Sequence, residues 1–97
     1  MSKKRYIDTK FWSDSWVSNL KPEEKFLFLY FLTNEKSNIA GIYELPVKIM
    51  AVETGLKEEE IQPILKKFEK DGKVIYLDGW VGIKNFIKHQ DIQNEKI

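Results

Sequence analysis

The sequence contains no cysteine. That excludes a disulfide framework, thiolate ligation of zinc or an iron–sulfur cluster, and a cysteine nucleophile. It holds a single histidine, His89, so no two-histidine metal site can form. No apolar run reaches the ~18 residues of a membrane span. Neither sign of charge dominates: 16 Lys and Arg stand against 15 Asp and Glu, a formal net charge of +1. The chain as a whole therefore has no strong pull on a polyanion. Met1-Ser2-Lys3-Lys4-Arg5 is basic like the start of a signal peptide, but polar and charged residues follow where an apolar stretch would stand. A reducing, cytoplasmic setting is the expectation. Internal repeats and low-complexity segments are also absent.

What remains is one small globular domain. With 97 residues, 42% hydrophobic, 13% aromatic and 32% charged, the chain supports a single modest core and is too apolar for disorder. Its punctuation is clear. Lys21-Pro22-Glu23-Glu24 reads as a helix start, with proline at the first helical position and acids where the macrodipole favours them. The run Phe26-Leu27-Phe28-Leu29-Tyr30-Phe31-Leu32 then predicts a helix over 22–33, buried on most sides. Residues 34–38 form a polar loop, and Ala40-Gly41-Ile42-Tyr43-Glu44 reads as a short strand. A second helix is expected over about 46–54, with Val47, Met50 and Ala51 on one face and Gly55 ending it. A third runs over about 58–70. Its Ile61, Ile64, Leu65 and Phe68 fall at i, i+3, i+4 and i+7. Pro63, inside its second turn, costs a hydrogen bond or bends the helix slightly. Asp71-Gly72 stops it.

The strongest local signal follows. Lys73-Val74-Ile75-Tyr76-Leu77 and Trp80-Val81-Gly82-Ile83-Lys84 flank Asp78-Gly79, the signature of a two-residue type I′ hairpin. That register pairs Leu77 with Trp80, Tyr76 with Val81, Ile75 with Gly82 and Val74 with Ile83. Val74, Tyr76, Val81 and Ile83 then share one face; Ile75, Leu77 and Trp80 share the other. Before Pro22, Arg5-Tyr6-Ile7 reads as a strand, and Trp12, Trp16 and Leu20 at i, i+4 and i+8 suggest a helical turn or two. Helix, strand, helix, tight turn, helix, hairpin is the order of a winged helix-turn-helix. The expected class is α+β: a three-helix core with a small antiparallel sheet and a β-hairpin wing, over residues 1–90. Residues 91–97 form a polar tail or the start of a linker.

Arg5-Tyr6-Ile7, Phe11-Trp12-Ser13-Asp14, Gly41-Ile42-Tyr43, Glu53-Thr54-Gly55-Leu56, Phe68-Glu69-Lys70-Asp71-Gly72-Lys73-Val74 and Ile83-Lys84-Asn85-Phe86-Ile87-Lys88-His89-Gln90 together resemble one family. The chain is similar, over residues 5 to about 90, to the N-terminal winged-helix domain of replisome organizers, the replication initiators of phages and prophages in low-GC Gram-positive bacteria. These are related in organisation to DnaD-like primosome proteins. The resemblance implies a part in replication initiation, with DNA, a homo-oligomer or helicase-loader and other replication proteins as partners. No membrane partner is expected, because no apolar run is long enough to span one. In that family a linker and a second helical domain follow, and this chain stops where the linker would begin, as an isolated domain or a short relative would.

The candidate residues carry two readings each. Glu58, Glu59 and Glu60 open the third helix, where a DNA-reading helix reaches base edges. Carboxylates there repel phosphates and match only the cytosine amino group; the plainer reading is that they complement the helix dipole. Lys66, Lys67, Lys70 and Lys73 lie at the helix end and wing entry. Lys66, Lys70 and Lys73 at helical spacing make a phosphate-contacting stripe or a solvated face. Lys3, Lys4 and Arg5 form a basic arm that enters a groove or solubilises the terminus. Ile75, Leu77 and Trp80 make the hairpin apolar on its second face. Either the N-terminal segment, with Tyr6, Phe11 or Trp12, covers them, or they form a protein interface; base stacking by Tyr76 and Trp80 is a third reading. Nothing points to catalysis: His89 lies in a polar stretch and no phosphate-binding loop is present. A non-enzyme without cofactor or metal is expected. The rivals to DNA contact are an interaction or oligomerisation module, and a small transcriptional regulator, which would need a dimerisation helix that the sequence does not display.

Overall fold

The computed structural model describes residues 4–85. Lys3, the Phe86-Ile87-Lys88-His89-Gln90 part of the resemblance, and the tail over 91–97 lie outside the described residues. Over the described residues the fold is α+β: four α-helices, a 3-10 helix and a three-stranded antiparallel sheet. No helix among the described residues is long and apolar enough to cross a membrane.

A 3-10 helix, Thr9–Ser13, leads into α1, Ser15–Ser18. The helical spacing of Trp12, Trp16 and Leu20 does not survive here. Asp14 sits in extended conformation between the two elements, and its carboxylate accepts the N–H groups of Trp16 and Val17. That cap starts a new helix and resets the phase, so Phe11, Val17 and Leu20 go inward and Trp12 stays exposed. Arg5-Tyr6-Ile7 is likewise not a strand. Its backbone pairs with no strand, and Arg5 instead donates to the hydroxyl and carbonyl oxygens of Ser37.

The longer helices form where the sequence places them. α2 is Pro22–Thr33, with Pro22 at its first position and the Glu24 carboxylate accepting the Lys21 N–H at 2.8 Å. Leu27, Phe28, Phe31 and Leu32 are buried, while Phe26 faces out. Polar contacts seal its end. Asn34 donates to the Tyr30 carbonyl and, at 2.8 Å, to the Tyr43 hydroxyl, which donates onward to the Phe31 carbonyl at 2.6 Å. The loop over 34–38 is therefore not simply solvated: Asn34 and Ser37 are buried with their polar atoms bonded. After the strand β1, Ile42–Glu44, comes α3, Val47–Thr54. Gly55 ends it at φ +82°, a left-handed value that glycine adopts without a Cβ clash.

α4, Glu58–Lys70, packs Ile61, Ile64, Leu65 and Phe68 inward. Pro63 is exposed, so the Glu59 carbonyl that it leaves without a helical donor lies on the solvent side. The core centres on rings. Phe68 meets Phe28, Phe31 and Trp16 with centroids 5.7, 6.3 and 5.4 Å apart, and Phe11 stacks on Phe28 at 6.1 Å. The strands β2, Val74–Leu77, and β3, Trp80–Ile83, close the chain's described part as a hairpin. Its register is the expected one, and Asp78 at φ +51° and Gly79 at φ +82° are the two left-handed residues of a I′ turn. β1 adds to the far side of β3, giving the order β1-β3-β2 with Tyr43 opposite Val81.

Candidate interaction surfaces

Alternation along the three strands divides the sheet into two faces. Val74, Val81, Ile83 and Tyr43 point inward and are buried. Tyr76, half-buried on the same side, donates its hydroxyl to the Leu45 carbonyl at 2.7 Å; burial raises its pKa above the usual phenol value. The opposite face carries Ile42 and Glu44 from β1, Gly82 and Trp80 from β3, and Ile75 and Leu77 from β2. It is open. Ile42, Ile75, Leu77 and Trp80 are 58%, 57%, 67% and 49% exposed. The N-terminal segment does not cover them: Phe11 has entered the core beside Phe28, and Tyr6 and Trp12 are themselves exposed. Ile42 and Glu44 belong to this surface although the hairpin alone gave no sign of them. The inward Tyr43 between them was the available signal, but only its pairing with Val81 assigns the face.

Gly82 sits in the middle of this face. Its φ is not left-handed, and a Cβ built on it would meet only the Ile75 carbonyl oxygen, at 3.9 Å. The notch between Ile42 and Ile75 opens into a groove of about 570 Å³, with Lys73 and Lys84 at its far end beside Glu69 of α4.

The basic residues are divided. Lys67 forms an exposed ion pair with Asp71 at 3.5 Å. Lys73 has left the helical stripe, because the chain turns through Gly72 at φ +73° before β2; its ammonium lies 5.2 Å from the centre of the Trp16 ring. Trp16 in turn donates its indole N–H to Asp71 at 2.9 Å. That hydrogen bond, with the Lys67 charge, holds the Asp71 carboxyl below its usual pKa. Lys66 and Lys70 project outward from α4 and are exposed, as is Lys4. Arg5 is held against Ser37 and so is not part of a free arm. At the other end of α4, Glu60 accepts the Lys57 N–H at 2.8 Å, and Glu58 and Glu59 are exposed. α4 thus carries four glutamates and three lysines. The Tyr30 hydroxyl donates to Glu53 at 2.5 Å, joining α2 to α3; burial first, then Glu53, raises the Tyr30 pKa far above the phenol range. Among the described residues no group of acids or histidines is placed to hold a metal ion; His89 lies outside them.

No family model, no curated protein and no solved structure matches the chain, so a function rests on these surfaces and on the sequence resemblance.

Proposed function

We propose that the chain is a winged helix-turn-helix of the phage-type replication-initiator kind, working in the bacterial cytoplasm, and that its task is protein assembly rather than reading DNA. In this reading α3, the Gly55 turn and α4 are the helix-turn-helix, and the β2–β3 hairpin is the wing. One observation carries it: the outer face of the sheet presents Ile42, Ile75, Leu77 and Trp80 together to solvent. Contiguous exposed apolar patches on a small domain mark interaction sites, and tryptophan is enriched among the residues that anchor them. The electrostatics support the same choice. Glutamates stand at the start of α4, and two of the four lysines grouped around its end are engaged within the domain.

A second reading keeps direct DNA contact. It rests on Lys66 and Lys70, which project together from α4, where the one ion pair among the described residues is that of Lys67 with Asp71. Such lysines would position phosphates with little base selectivity.

Light scattering of the chain with and without duplex DNA, across a salt series, separates the two. An assembly module gives a mass above the 11.5 kDa monomer without DNA. That mass falls in Leu77→Asp and persists when Lys66 and Lys70 are reversed to glutamate. A monomer that binds duplex with a steep inverse salt dependence, lost on the lysine reversals, overturns the assembly reading.

A further inference from the structure

Glycine in the interior of a central strand costs stability, because it fixes a flexible backbone and offers no side chain to pack. Gly82 occupies such a position with no internal reason. Its backbone is not left-handed, and nothing closer than 3.9 Å would meet a Cβ there. The fold itself would accept a larger residue. What the glycine provides is a notch in the outer face, between Ile42 and Ile75 of the flanking strands. Strand glycines of this sort mark places where another group approaches closely.

The rest of that face indicates which group. Two residues along the same strand stands Trp80, half exposed and flanked by Glu44 and Leu77. Knob and notch are therefore neighbours on β3. Charge follows the same line. Lys84 lies at the groove end beyond Gly82, with Glu69 behind it, while the turn residue Asp78 lies at the end beyond Trp80 and Glu44 stands level with Trp80 on β1. Read along β3, the face is basic, then apolar, then acidic. Such a stripe complements itself when turned end for end.

Resting on the assembly reading above, we infer that the partner of this face is a second copy of the chain, related by a two-fold axis that crosses β3 between Trp80 and Gly82. That axis lays the two sheets face to face with their β3 strands antiparallel. Trp80 of each copy enters the Gly82 notch of the other, and the Lys84 end of each meets the Asp78 end of the other. Leu77 of one copy lies over Ile75 of its partner. The interface is isologous, so one surface serves both copies and the assembly closes at two. The four exposed apolar side chains make a patch of the order of the ~300–600 Å² found as the largest on a monomer.

Sedimentation equilibrium of the 97-residue chain tests the arrangement. The wild type is expected to be a reversible dimer. Gly82→Leu fills the notch without disturbing the fold, so its thermal midpoint, read at concentrations where both chains are monomeric, should equal or exceed the wild type's, while dimerisation weakens by at least about tenfold. Trp80→Gly should weaken it similarly. The double variant W80G/G82W exchanges knob and notch on the same strand, so the same axis again places tryptophan over glycine, and dimerisation should return to within about fivefold of wild type. Three results overturn the inference: a monomeric wild type, a Gly82→Leu dimer within about threefold of wild type, or a folded double variant that stays as weak as Trp80→Gly. Association that survives Gly82→Leu but is lost in Leu77→Asp would overturn this docking geometry while sparing the assembly reading.

Discussion

The two faces of the hairpin are nearly equal in composition and opposite in fate. Val74, Tyr76, Val81 and Ile83 lie on one, Ile75, Leu77 and Trp80 on the other, and only the first is covered by the helices. Alternation along a strand sorts side chains into faces, but it does not say which face the core will take when both are apolar. The hairpin's own residues could not decide this. The decision came from elsewhere: α4 lies against β2, Phe68 sits among Phe28, Phe31 and Trp16, and Phe11 joins that cluster instead of crossing the sheet. Burial on one side is then explained by packing. Exposure on the other side is not, and that asymmetry is what makes the outer face a functional candidate.

The comparison breaks most severely if the covered side is emptied. Phe68→Ala removes a fully buried ring that meets three aromatic neighbours. It should cost about 3–5 kcal/mol in denaturant unfolding, a large share of the ~5–15 kcal/mol available to a small domain. A loss below ~1 kcal/mol would contradict the burial. Val81→Thr probes the same side more gently. It keeps the shape but places a hydroxyl where Val81 is now fully buried, opposite Tyr43 and Tyr76. The expected cost is about 1–3 kcal/mol by the same measurement.

The turn that sets the two faces comes next. Gly79→Val forces a β-branched residue to φ +82°, with open space around the new Cβ. The cost is therefore conformational alone, about 1–2 kcal/mol. An unchanged melting temperature would mean that the turn is not of the I′ type and that the faces are assigned from the wrong register.

Much of the frame was legible in the sequence because its signals were local. Pro22 with its following acids and the stripe from Ile61 to Phe68 gave α2 and α4 their bounds, and Asp78-Gly79 gave the hairpin its register. What escaped depended on contacts between distant parts of the chain. β1 finds β3 across some forty residues, so the membership of Ile42 and Glu44 in the outer face could not be read from either segment alone. Lys73 meets Trp16 and Arg5 meets Ser37 in the same way, and these contacts withdraw basic residues that looked free. The misread spacing of Trp12, Trp16 and Leu20 was a local failure: Asp14 was a cap, and a cap breaks periodicity.

Asp71 offers a smaller, pH-dependent test on the edge between the faces. Its carboxyl is held below the usual value by the Trp16 indole and the Lys67 charge. A carboxylate with a depressed pKa contributes stability above its unfolded pKa, about 3.9, and loses it as the pH falls through the folded value. Asp71→Asn should therefore melt slightly below wild type at neutral pH, and the gap should close on acidification. A gap that is constant with pH would show that the charge on Asp71 contributes nothing.

The smallest effect on folding is expected from the outer face, and it is the most informative of the series. Ile75→Thr makes the same kind of change as Val81→Thr: a β-branched apolar residue becomes a β-branched polar one in the same sheet. Ile75 is more than half exposed, so the new hydroxyl meets water and threonine keeps the strand propensity. Its unfolding free energy, measured at concentrations where the chain is monomeric, should stay within about 0.5 kcal/mol of wild type. Two near-identical substitutions would then differ severalfold in cost according to the face they occupy. If Ile75→Thr instead destabilised the monomer as much as Val81→Thr, some part of the chain would already cover the outer face, and the surface would belong to the core and not to a partner.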